Sequence, residues 1–157
     1  MEFMDSGPSW VSRLVEVLQP LSARADRLAA TEPFSGLEWP ELQFAAGLLN
    51  ETMVDRGTRM TVQGRRSPRL WVILEGEALV SADARPLRVA TTGDFVGLPS
   101  MLAGGPSPET TIALSSIRAF EAGPDQFRRL LARRMIRHRL TAAAKAKSGQ
   151  PGGGPRP

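Results

Sequence analysis

Gly57-Thr58-Arg59-Met60-Thr61-Val62-Gln63-Gly64 opens a series of short apolar segments, each closed by a glycine. Leu70-Trp71-Val72-Ile73-Leu74-Glu75-Gly76 continues it, and Gly93-Asp94-Phe95-Val96-Gly97 ends it. Segments of this length and composition predict β-strands joined by tight turns. Glycine supplies the positive φ that such reversals need. Working outward, strands are expected over 52–55, 59–62, 70–74, 78–82, 87–91, 110–114 and 117–121, with turn residues between most of them. Regular short spacing of this kind describes a compact β barrel or roll, so the fold class is mainly β with flanking helices.

The flanks change period. Leu42, Ala45, Ala46 and Leu49 share one face of a short helix over 41–49, preceded by a turn-rich linker over 33–40. Further upstream, Val11, Leu14, Leu18, Leu21, Ala25 and Leu28 alternate steps of three and four, a seam on one helix face. Pro20 interrupts it, which gives either one kinked helix or two short ones, the second starting near Pro20. That face is expected to pack on the domain or on a second copy. Downstream, Gly123-Pro124-Asp125 carries helix-start signals. The closing helix would bury Phe127, Leu130, Leu131, Met135 and Leu140, present Arg128, Arg129, Arg133 and Arg137 on the other side, and fade by Lys147. Residues 148–157 read as a disordered Gly/Pro tail. The organisation is therefore an N-terminal helical extension over 1–33, a β roll over 34–123, a basic closing helix over 124–147 and the tail.

With 157 residues, 41% apolar and 23% charged, the chain suits one soluble domain with extensions. No apolar run approaches the 18 or so residues of a spanning helix. The acidic N-terminus lacks a signal-peptide core, so a cytoplasmic location is expected. The net charge of +4 is uneven: residues 124–157 hold nine Lys/Arg against Asp125 alone, +8, which leaves −4 on residues 1–123. A split of this kind favours an anionic partner at the C-terminal end, a nucleic acid or an acidic protein.

The glycines and their neighbours resemble the cyclic nucleotide-binding domain superfamily over roughly residues 34–140. Its Gly-x-x-Ile-x-x-x-Gly pattern is matched by Gly57, Met60 and Gly64, its Ile-x-x-Gly strand end by Ile73 and Gly76, and its Gly-Asp-x-Phe-Gly turn by Gly93, Asp94, Val96 and Gly97. The resemblance implies a cupin-like β roll and a phosphate-binding cassette after Gly97. That cassette would run through Leu98, Pro99 and Ser100 to Ser107, Pro108, Glu109, Thr110 and Thr111. In binding members a short helix turns backbone N–H groups to the cyclic phosphate. A Glu directly after the glycine holds the ribose, and an Arg about ten residues on pairs with the phosphate. Leu98 stands in place of that Glu, Ser107 or Pro108 in place of that Arg, and Glu109 adds a negative charge beside the site. Losing both anchors would weaken binding by roughly 3–6 kcal/mol, or two to four decades. The expectation is a degenerate cassette in a non-enzymatic regulatory or interaction module without tight cyclic AMP or GMP binding. Two alternatives stand: a sensor of a cyclic nucleotide or another small anion that uses cassette backbone donors, and an anionic partner held by the Arg-rich helix.

Other chemistry lacks its residues. There is no cysteine and one histidine, His138, so no thiolate or histidine metal site is expected. Neither Ser100 nor Ser115-Ser116 has a visible base for nucleophilic catalysis. Asp94 is expected to support the turn after Gly93 with its side-chain oxygen. Too few residues follow the closing helix for a recognition helix, so no sequence-specific DNA binding is expected. Self-association as a homodimer through the helices, or a protein partner, is.

Overall fold

The computed structural model describes residues 21–148. Helix α1 (Leu21–Ala29) leads through a turn-rich segment to α2 (Trp39–Leu48). Strands β1 (Asn50–Val54), β2 (Arg59–Thr61), β3 (Leu70–Glu75), β4 (Ala78–Ala82), β5 (Arg85–Ala90) and β6 (Phe95–Val96) follow. After the short helix α3 (Leu98–Ala103) come β7 (Thr110–Ala113), β8 (Ile117–Ala122), α4 (Pro124–Ala132) and α5 (Arg134–Ser148). The strands form two four-stranded antiparallel sheets, β1-β8-β3-β6 and β2-β7-β4-β5. This is the expected β roll with flanking helices. The five opening glycines, Gly57, Gly64, Gly76, Gly93 and Gly97, all have φ between 86° and 107°.

The apolar run of β3 shows how the layers arise. Strand side chains alternate faces. Leu70, Val72 and Leu74 join Phe120 and Ala122 of β8 in a core shared with the helices. Trp71 and Ile73 turn the other way, toward Ile117, Ala119, Met60 and Val80 between the two sheets. A strand covered on both faces needs no polar side, which is why Leu70–Leu74 reads as an unbroken apolar stretch. Each such side chain contributes about 1.5–3 kcal/mol by leaving water.

Helix α1 carries Leu21, Ala25 and Leu28 of the seam, and Ala25 and Leu28 are fully buried in the helix-side core. The seam residues Val11, Leu14 and Leu18 lie outside the described residues, as do 149–157 of the tail. The 33–40 segment does more than link, because Phe34 is fully buried in the same core. Helix α2 begins at Trp39 rather than 41, with Pro40 in its first turn, where a missing N–H costs nothing. Strand β6 is an addition: its two residues pair with Trp71 and Val72 and are too few to show a period.

The closing helix differs most from expectation. Gly123 opens it with its N–H donated to Gln126 Oε1 at 2.9 Å. It stops at Ala132, however, and Arg133 is extended at φ −83° and ψ 115° before α5 begins. That break shifts the helical phase. Phe127 and Leu130 are buried on α4, but on α5 the buried residues are Ile136, Leu140 and Ala143. Met135, expected inside, is 56% exposed. Ser148, the last described residue, is still on α5. Arg139, on the same helix, turns inward, donating to the Ser35 and Glu32 carbonyls at 2.7 and 2.6 Å and to Ser35 Oγ at 3.0 Å. These bonds fasten α5 to the turn before α2.

Candidate ligand pocket

Gly97 sets the entry to the cassette. At φ +90° it caps α3, and a Cβ there would run into the Arg69 carbonyl and the Ser67 hydroxyl. Leu98, the first residue of α3, is fully buried in the helix-side core, so its side chain points away from the pocket. Pro99 has no N–H, which removes one of the first-turn donors an anion would use. Ser100 Oγ accepts from Ser67 N at 2.9 Å and donates to the Gly105 carbonyl at 2.5 Å. The stretch that follows is fastened to the β2–β3 connection: Ser107 N donates to the Arg65 carbonyl at 2.6 Å and Gly64 N to the Ser107 carbonyl at 2.9 Å.

The hydroxyls of the cassette all point to internal partners. Ser107 Oγ donates to the Glu109 carbonyl at 2.7 Å. Thr61 Oγ1 lies 3.0 Å from the same carbonyl and 3.1 Å from Thr111 Oγ1. Thr110 Oγ1 accepts from Gln63 N at 2.9 Å. Thr111 and Ser107 are buried.

The Glu109 carboxylate is paired. Arg88 of β5 grips it with two parallel bonds, Nη1 to Oε2 at 2.8 Å and Nη2 to Oε1 at 2.9 Å. This is the fork-to-fork geometry in which a guanidinium takes a carboxylate or a phosphate. Both side chains are three-quarters or so covered, at 29% and 24% exposed. They sit over a cavity walled by Val80, Phe95, Val96 and Pro99. The free space is about 20 Å³, room for about one water molecule. Lys147 closes the other side from α5. Its ammonium lies 3.5 Å from Glu32 Oε2 and 3.6 Å from Asp94 Oδ1, and 5.5 Å from the centre of the Phe95 ring. Asp94 supports its turn as expected, accepting from Thr91 N at 2.8 Å.

The structure thus brings Gly97, Pro99, Ser107, Pro108, Glu109 and Thr111 to one cavity. Leu98 and Ser100 lie beneath it and Thr110 beside it. Arg88 and Lys147 are pocket residues that the sequence reading missed. Neither has a local signal, since Arg88 lies 21 residues before Glu109 and meets it only through the sheet.

The basic face is a separate surface. Arg128 pairs with Asp125. Arg133 lies 3.5 Å from Glu41 and 4.1 Å from the Phe44 ring centre, so the helix break holds it against α2. Arg129, Arg134, Met135, Arg137 and His138 are exposed. Among the described residues no three His, Cys, Asp or Glu gather as a metal site, and no helix is long and apolar enough to cross a membrane.

A two-sheet roll with a glycine-capped helix and a cassette leading into β7 is the architecture of one known class. The cyclic nucleotide-binding domain model matches residues 51–134, more than half of the chain, and the chain belongs to that family. Its domains are regulatory modules with no catalysis of their own. Solved structures with the same fold include cAMP-bound PfPKA-R, at 21% identity and TM-score 0.67, over 80% of this chain and 45% of that one. The CBD2 domain of PKAR with Sp-2Cl-cAMPS matches at 21% identity and TM-score 0.67, over 82% and 91%. The regulatory subunit of a cAMP-independent protein kinase A from Trypanosoma brucei matches at 20% and TM-score 0.71, over 84% and 47%. The chain thus spans a little under half the length of two of these three. No curated protein sequence matches it.

Proposed function

We propose that this domain is a regulatory or interaction module whose cassette does not bind cyclic AMP or GMP tightly. The observation that carries this reading is the Glu109 carboxylate on Arg88, in a cavity with room for about one water. Three further features support it. Leu98, at the sugar-binding position implied by the family resemblance, faces the core. Ser107 and Pro108 bring no positive charge, and the cassette hydroxyls already have partners. A nucleotide would have to break the Arg88 pair and open the space it needs.

A thermal-shift titration tests this. A ligand at a hundred times its Kd stabilises its protein by about 2.7 kcal/mol, several degrees in Tm for a domain of this size. The reading predicts no shift with 100 μM cAMP or cGMP. A rise of several degrees would install the sensor alternative, with backbone donors of residues 97–111 as its contacts.

A second reading concerns partners. Arg129, Arg134 and Arg137 are exposed on α4 and α5, as is Met135, and a basic surface of this kind suits an acidic protein. Arg133 is held by Glu41 and contributes less. The triple change Arg129→Glu, Arg134→Glu and Arg137→Glu is expected to abolish retention on heparin at moderate salt. Unchanged retention would remove this surface from consideration.

A further inference from the structure

We propose that Glu109 is a built-in ligand of the pocket: its carboxylate occupies the Arg88 guanidinium in place of a small oxyanion and keeps phosphates in solution out. This inference rests on the reading above and gives it a cause. Two of its elements are independent of the cassette's missing anchors. Arg88 comes from β5, outside the cassette, and it carries a two-pronged receptor that faces the cavity. A guanidinium in that setting takes carboxylate and phosphate alike, because both offer two anionic oxygens that its parallel N–H donors can reach.

The second element is how firmly Glu109 is held. Its carbonyl accepts from Thr61 Oγ1 at 3.0 Å and Ser107 Oγ at 2.7 Å. Ser107 is in turn bonded to Arg65 and Gly64 at 2.6 and 2.9 Å. The carboxylate therefore reaches Arg88 from a backbone already fixed, and little freedom remains to be lost when the pair forms. A free anion must compete with a partner tethered at an effective concentration in the millimolar range or above. Lys147 does not offer a second receptor, since Glu32 and Asp94 hold its ammonium.

The experiment compares the full chain with Glu109→Ala and Glu109→Gln, and with Glu109→Ala combined with Arg88→Ala. Calorimetric titrations use inorganic phosphate in one arm and cAMP in the other, with circular dichroism as the check on folding. The expected result is a gain of about ten- to a hundredfold in phosphate affinity on loss of the Glu109 charge, erased when Arg88 is also removed. A matching gain in the cAMP arm assigns the site to nucleotide phosphates; a gain for inorganic phosphate alone assigns it to small free anions. If Glu109→Ala fails to fold, Glu109→Gln, of the same shape, carries the comparison with Arg88→Ala added. Equal phosphate affinity with and without the Glu109 charge, or a gain that survives loss of Arg88, overturns the inference and leaves the reading of the native cassette standing. Tight cAMP binding by the native chain sinks that reading instead.

Discussion

Gly97 and Glu109 act on the pocket in different ways. Gly97 is a backbone requirement. Its φ of +90° and the closeness of the Arg69 carbonyl leave no room for a side chain. Gly57 has nearly the same φ, 88°, but nothing within 4 Å of where a Cβ would stand. Gly57→Ala should therefore cost only the left-handed penalty, about 1–2 kcal/mol. Gly97→Ala adds overpacking against the Arg69 carbonyl and the Ser67 side chain, for a total of about 2–5 kcal/mol. Denaturant unfolding of the two variants measures the difference, and equal losses would mean that the close approach does not constrain the site. Glu109 is a matter of charge. Read alone it was an extra negative group beside a phosphate site. Paired with Arg88, it is in the inference above the group that fills that site. The sequence shows the residue and not the pairing, because contacts 21 positions apart are made by strand register, not by any local pattern.

Among the elements, the β4–β5 hairpin carries a local strain. Its two-residue loop, Asp83-Ala84, has φ of 53° and 62°, the mirror-image turn that favours Asn-Gly or Asp-Gly. Gln63 steadies it from outside, donating to Asp83 Oδ1 at 3.0 Å and accepting from Asp83 N at 2.8 Å. Ala84→Gly should relieve the penalty at the second position and raise stability by about 0.5–1 kcal/mol after the entropy that glycine adds to the unfolded chain. A lower unfolding midpoint would show that the alanine Cβ makes a contact worth more than its strain. The hairpin gains from this because β5 carries Arg88, so its register sets where the guanidinium lies. The closing helices teach the opposite lesson about legibility. Their start was readable from Gly123, Pro124 and Asp125, but the break at Arg133 was not. A single extended residue leaves no compositional mark, yet it moves Met135 outward and Ile136 inward.

At the scale of the molecule, the fold was legible because its signals are local and repeated: glycines at the turns, a two-faced apolar strand, and changes of period at both flanks. The three layers follow from them, with β3, β8 and β6 between the second sheet and the helices. The pocket was only half legible. The cassette residues from Gly97 to Thr111 were found, whereas the groups that close on them come from β5 and from α5, which Arg139 and Lys147 fasten across the turn at Glu32–Ser35. Closure of the pocket is thus a property of the assembled domain, and in the function proposed above the internal ion pair, the buried Leu98 and the fastened helix stand where a nucleotide would make its contacts. Isothermal titration calorimetry of the native chain with cAMP and with cGMP tests this most directly. The account predicts no binding tighter than about 100 μM for either nucleotide, some two decades short of a micromolar site. A Kd of about 1 μM or below, for either one, would contradict it.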